Sequence, residues 1–216
     1  MDYLKKYLPK NILIIRSMTK LFTLLLCLFF VQISVGQSIQ RTDLLEFNKQ
    51  RKQYGSTSMA VLGGFALGNM AIGIPNAIQL SGKEKYFNEM NCYWNVVNLG
   101  IAVAGYIGNQ NKDIQNLNEE QTWNEQTKTL KIYGINAGLD ILYIGSGVAL
   151  MGFSGKAPKS EQRLLGYGES LIVQGGFLLL YDSAMLLIHS IHGKNFKKKN
   201  GGLSLSSQGI GLNYTF

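Results

Sequence analysis

The sequence predicts an all-α membrane protein: four transmembrane helices arranged as two tandem helical hairpins, with amphipathic lead-in helices and a short strand-like C-terminal tail. Three observations predict it. Four long apolar segments, about Ser56–Leu80, Met90–Gly108, Ile132–Phe153 and Gly166–His192, follow a leader of the secretion type. At about 1.5 Å per residue each is long enough to cross a hydrocarbon core of ~30 Å. Backbone in lipid must satisfy its own hydrogen bonds, so runs of this length are read as helices.

The leader occupies residues 1–36. Lys20 supplies the positive start, Leu21–Val31 the apolar core, and Ser34-Val35-Gly36 the small residues before a cut ahead of Gln37. The residues before Met18 are a basic extension or a misplaced start. The competing reading is an uncleaved fifth helix, for which Leu21–Val31 is short. With Cys27 removed, only Cys92 remains, and one thiol forms no intrachain disulfide.

The membrane domain is expected over 37–192, with repeat units at about 41–108 and 120–192. Glu46, Lys49, Lys52, Tyr54 and Gly55 match Glu125, Lys128, Lys131, Tyr133 and Gly134, an amphipathic helix start feeding an apolar helix in each half. The same pattern also suits any exposed helix start, because Glu followed by Lys stabilises one. Small residues recur at helix-packing spacing in Ala60-Gly64-Gly68, Gly100-Ala104-Gly108, Gly134-Gly138 and Gly145-Ala149. Pro75 is expected to bend the first helix.

The tail, 193–216, opens with Lys194, Lys197, Lys198 and Lys199 and then alternates apolar with polar residues from Leu203 to Phe216, a period of two. It reads as an extramembrane strand for a partner's sheet edge, or as a loose end. The formal charge of +8 sits mainly in the leader and this lysine cluster, without interleaved aromatics, so nucleic acid is not an expected partner. A cleaved leader puts Gln37 outside the inner membrane, whereas the lysine cluster prefers the cytoplasm; the two signals disagree on orientation.

Polar residues at membrane depth are the candidate site. Asp140 and Asp182 fall at similar depth if the third and fourth helices are antiparallel, and each carboxylate there costs about 2.5–3.5 kcal/mol. Should they meet, mutual repulsion lets the pair share a proton. Asn136 lies one turn from Asp140, and His189 two turns from Asp182, extending the polar track. In the first half Asn69, Asn95 and Asn98 are neutral counterparts, with Asn69 expected beside Asn95, and Gln174 corresponds to Asn95 in the repeat. Three readings fit: a structural hydrogen-bond network, a proton- or cation-linked pathway, or a metal site of Asp182, His189 and His192, which lacks a further strong ligand nearby. No metal and no cofactor is expected. Tyr93, Trp94 and Tyr106 are read as interfacial anchors. No phosphate loop, nucleophile elbow or H-E-x-x-H occurs, so no enzymatic activity is expected.

The segments Tyr93-Trp94-Asn95-Val96-Val97-Asn98-Leu99-Gly100 and Gly166-Tyr167-Gly168-Glu169-Ser170-Leu171-Ile172-Val173-Gln174-Gly175-Gly176-Phe177, with Asp182 following, resemble an uncharacterised family of small Bacteroidota multi-pass membrane proteins. That resemblance implies the architecture and no activity. The expectation is a Sec-targeted, non-enzymatic protein of the bacterial envelope, in the inner membrane, serving as a scaffold or accessory subunit. Its partners would be lipid and either another protein or a second copy, met through the small-residue seams and the tail. The alternative is a small proton- or cation-coupled carrier using Asp140 and Asp182.

Overall fold

The computed structural model describes residues 39–200, 202–206 and 209–213; the leader falls outside the described residues. Four helices make up the chain's main body: α1 (Arg41–Gln79), α2 (Gly82–Gln110), α3 (Glu119–Ser154) and α4 (Glu161–Asn200). A 3₁₀ turn at Pro158–Ser160 precedes α4. Asn118 starts α3 with a capping box, its side chain accepting from Gln121 N while the Gln121 side chain accepts from Asn118 N. Between α1 and α2, Gly82 takes φ 63°, the left-handed backbone that glycine adopts without penalty.

Lead-in and apolar segment are not separate helices. α1 runs unbroken for 39 residues, through Pro75, and α3 for 36. A change of composition from polar to apolar does not interrupt the i→i−4 ladder, because both stretches carry helix-forming residues and the helix needs only a new environment for its outer face. At about 58 Å, α1 exceeds the ~30 Å of a hydrocarbon core.

Three of the helices are long and apolar enough to cross a membrane: α1, α3, and α4 with its preceding turn. α2 falls short of that measure because of its asparagines. Asn88, Asn91, Asn95 and Asn98 recur at three- and four-residue spacing, are all buried, and form one stripe continued by Ala102. The opposite face exposes Tyr93, Val96, Val97, Ile101, Val103 and Ile107. α2 is therefore apolar outside and polar inside, the reverse of a helix solvated by water.

The other helices show the same inversion in part. Asn48, Asn95, Gln174 and His189 are fully buried, while Ile72, Ile78, Ile135 and Leu180 are more than 60% exposed. Water would drive the opposite arrangement, and a lipid surround accepts this one.

Neighbouring helices alternate in direction. On α1 and α2, Gly55 faces Asn109 and Gly73 faces Cys92; on α3 and α4, Gly147 faces Gly168 and Gln126 faces Gly193. The tight approaches use glycines outside the expected seams. A Cβ on Gly147 would lie 2.6 Å from Gly168 O, and one on Gly175 3.0 Å from Asp140 O. Gly64, Gly68, Gly100, Gly108, Gly134, Gly138 and Gly145 have nothing within 4 Å of such a Cβ, so those seams face outward. Small-residue spacing marks a helix face without saying which way it turns.

Where the lead-in stretches meet the end of α4, the core becomes aromatic. Phe47 stacks on His192 at 4.2 Å between ring centroids and packs against Phe196 and Trp123. In the tail, the backbones of β1 (Gly202–Ser206) and β2 (Gly209–Asn213) pair antiparallel, Gly202 opposite Asn213.

Candidate functional site

Two groups of buried polar residues hold the candidates at membrane depth. The first centres on Asn91 of α2, which the sequence reading passed over. Asn91 Nδ2 donates to Asn69 Oδ1 of α1 at 3.3 Å, and Asn91 Oδ1 accepts from Asn95 Nδ2 at 3.1 Å and from Gln174 Nε2 of α4. Asn69, expected beside Asn95, thus meets it only through Asn91. Asn95 Nδ2 is already engaged by Asn91, donating to its backbone carbonyl at 2.7 Å as well. Four amides from three helices lock the axial register of the bundle where an apolar seam would slide.

The second group lines a cavity of about 480 Å³. Asp140 of α3 and Asp182 of α4 lie within hydrogen-bonding reach of one another, and Asn136 reaches Asp182. The two carboxyls are 2% and 4% exposed. Asp140 Oδ2, Asp182 Oδ1 and Asn98 Nδ2 find no hydrogen-bond partner among the described residues. Two carboxyls this close and this deeply buried are costly unless a proton or another cation lies between or beside them.

His189 shares the cavity but not the carboxyls' immediate surroundings. Its ring stacks on Tyr133 at 5.5 Å, and both ring nitrogens are buried without a partner among the described residues. Its backbone carbonyl accepts from Gln126 Nε2 at 2.7 Å. His192 turns away, stacked on Phe47 with its Nε2 at 3.1 Å from Gln50 Oε1. Asp182, His189 and His192 therefore do not converge.

Aromatic and aliphatic groups close the remaining walls. Trp94, expected at the interface, instead packs edge-on to Tyr143 at 4.7 Å and forms part of the cavity wall. Tyr181 OH donates to Ser58 O at 2.9 Å, and Tyr133 OH lies 2.8 Å from Ser58 Oγ. These two bonds fasten α3 and α4 to α1 beside the carboxyls.

At the lead-in end the cavity reaches Arg51 and Lys112. Both lie against Glu125, whose single charge offsets one of the two: Lys112 Nζ lies 2.7 Å and Arg51 3.6 Å from its Oε2. The hydrogen bond from Lys112 holds the Glu125 carboxyl below the usual range; burial opposes this, and the charges of Lys112, Arg51 and Lys128 add to it. Arg51 also donates to Asn48 Oδ1 at 2.8 Å.

The missed residues carried a signal. Asn88, Asn91, Asn95, Asn98 and, in α3, Thr122, Gln126, Thr129, Tyr133, Asn136 and Asp140 follow heptad spacing with polar side chains in the seam positions. Hydropathy averaged over all faces conceals such a stripe.

No curated protein and no solved structure matches the chain. The sequence profile of a family of unknown function matches residues 61–183, a span that holds the Asn91 cluster, Asp140 and Asp182. The chain belongs to that family, DUF6992.

Proposed function

We propose that this is a non-enzymatic integral membrane protein whose four helices all cross the bilayer, as two tandem hairpins, and that its central cavity serves a proton- or cation-coupled carrier. The bundle sits in the envelope of a bacterium, delivered by the secretion leader to the inner membrane. One observation carries the carrier reading: Asp140 and Asp182, from different helices, meet in the wall of a cavity. Two neighbouring carboxyls hold a proton between them and release it when a cation takes its place.

The amide cluster around Asn91 supports α2 as a fourth crossing. Asn91 joins Asn69, Asn95 and Gln174 in one cluster, so this polarity is turned inside the bundle while the outer face stays apolar.

The test is flux. Purified protein in liposomes with an internal pH dye should show cation-driven proton movement that disappears in Asp140→Asn/Asp182→Asn. Absence of any flux from the wild type under every imposed cation gradient would end the carrier reading.

An accessory or scaffold role is the second reading, and one observation favours it. The Gly64-Gly68 and Gly134-Gly138 faces turn outward with open space beside them, as a surface for a second copy or another membrane helix would. Crosslinking in membranes through a cysteine at Gly68 should then capture a dimer or a partner; a wholly monomeric product refutes this role for that face.

A further inference from the structure

Resting on the carrier reading, we propose that the ligand of the cavity is an organic monocation, a protonated amine with an apolar body, and not a metal ion or an anion. A metal ion needs a shell of several oxygen or nitrogen ligands around a point. Among the described residues no three His, Cys, Asp or Glu side chains gather to hold one. Two carboxyls and the Asn136 amide stand at one end of a space of about 480 Å³, a volume in the range of sites for small organic molecules.

The walls between are of the wrong kind for an ion and the right kind for an amine. Trp94, Tyr143, Tyr133 and Tyr181 present rings, and ring faces attract an ammonium. Leu62 and Leu178 supply aliphatic surface on the α1 and α4 sides. An ammonium brings N–H donors and no acceptor. It therefore suits Asp140 and Asp182, the two carboxyls in the lining. An anion would face the two carboxyls, while the basic groups in the lining, Arg51 and Lys112, both lie against Glu125.

The rim indicates the route. Val97 and Ile101 of α2 and Ile132 of α3 line the cavity and are also about half exposed on the bundle's outer face. A ligand with an apolar body reaches the carboxyls from the lipid, between α2 and α3, with its charged end leading inward.

The test uses the purified full chain in nanodiscs with Trp123→Phe, which leaves Trp94 in the cavity wall as the only tryptophan. Its fluorescence is titrated with 4-phenylbutylamine, 4-phenylbutanol and 4-phenylbutyrate, and separately with NaCl and KCl. The expected result is a saturable change with the amine, at least about tenfold tighter than with the alcohol, and none with the carboxylate or the salts. Asp140→Asn/Asp182→Asn should bring the amine to the affinity of the alcohol. Equal affinity for amine and alcohol, or a response to the carboxylate, overturns the proposal without recourse to any carboxyl variant. Flux is read independently in liposomes. Amine binding with no flux removes the carrier reading and leaves this ligand standing, whereas carboxyl-dependent flux with no preference for the amine does the reverse.

Discussion

Replacing Gly147 with alanine inserts a methyl group where α3 and α4 touch backbone to backbone. The new Cβ would lie 2.6 Å from Gly168 O, 2.8 Å from Ile172 Cγ1 and 3.1 Å from Ile172 N. Two of these neighbours are main-chain atoms, so relief requires the helices to part. Overpacking of this kind costs about 1–3 kcal/mol, and rigid backbone places it near ~3. Alanine also returns about 1 kcal/mol of helix propensity, leaving a net loss of ~2 kcal/mol. Gly134→Ala, on the same helix, gains the propensity term and meets nothing within 4 Å. The two variants should therefore differ by about 3 kcal/mol, a gap of roughly 6–12 °C in Tm for a chain of this size. Thermal unfolding of both in one detergent, followed by circular dichroism at 222 nm, measures it. Equal melting temperatures, or a Gly134 variant less stable than the Gly147 one, would refute the assignment of inward and outward glycines.

The remaining predictions concern the polar clusters and the aromatic end. Asn91→Ala leaves Asn69, Asn95 and Gln174 each short of a partner and should cost about 1–3 kcal/mol in the same assay. A loss below ~0.6 kcal/mol would mean that Asn91 is no hub. Glu125 has a folded pKa below its unfolded one, so its stabilising contribution is complete above the unfolded value and is lost as pH falls through the folded one. Melting of the wild type should thus weaken as pH drops below about 4.3, and Glu125→Gln should flatten that part of the profile. An unchanged slope in the variant would count against the Lys112–Glu125 contact. Phe47→Ala, at a residue 2% exposed between His192, Trp123 and Phe196, should cost about 3–5 kcal/mol, against less than ~1 for Ile135→Ala, which is 64% exposed.

The helices and the meeting of Asp140 with Asp182 were legible because both follow from one-dimensional arithmetic. Long apolar runs give helices, and equal distance along antiparallel neighbours gives contact. Asn91 was not legible by that route, since it stands at the margin of an apolar segment, where a polar residue ordinarily faces headgroups. Its heptad relation to Asn88, Asn95 and Asn98 was the available clue. Trp94 failed for the same reason in reverse: position along the helix suggested an anchor, while rotation about the axis turned it inward. The glycine seams show the general difficulty. A spacing of four identifies a face of α1 or α3, and only the packing of the other helices decides whether that face is Gly134's or Gly147's.

α4 joins the interlocked rings of Phe196 and His192 to Asp182 with no break in its helix. A push or twist applied at that outer end is not absorbed on the way, because nothing between acts as a hinge. On the carrier reading, whatever grips the aromatic end would act on the carboxyls through a single rod.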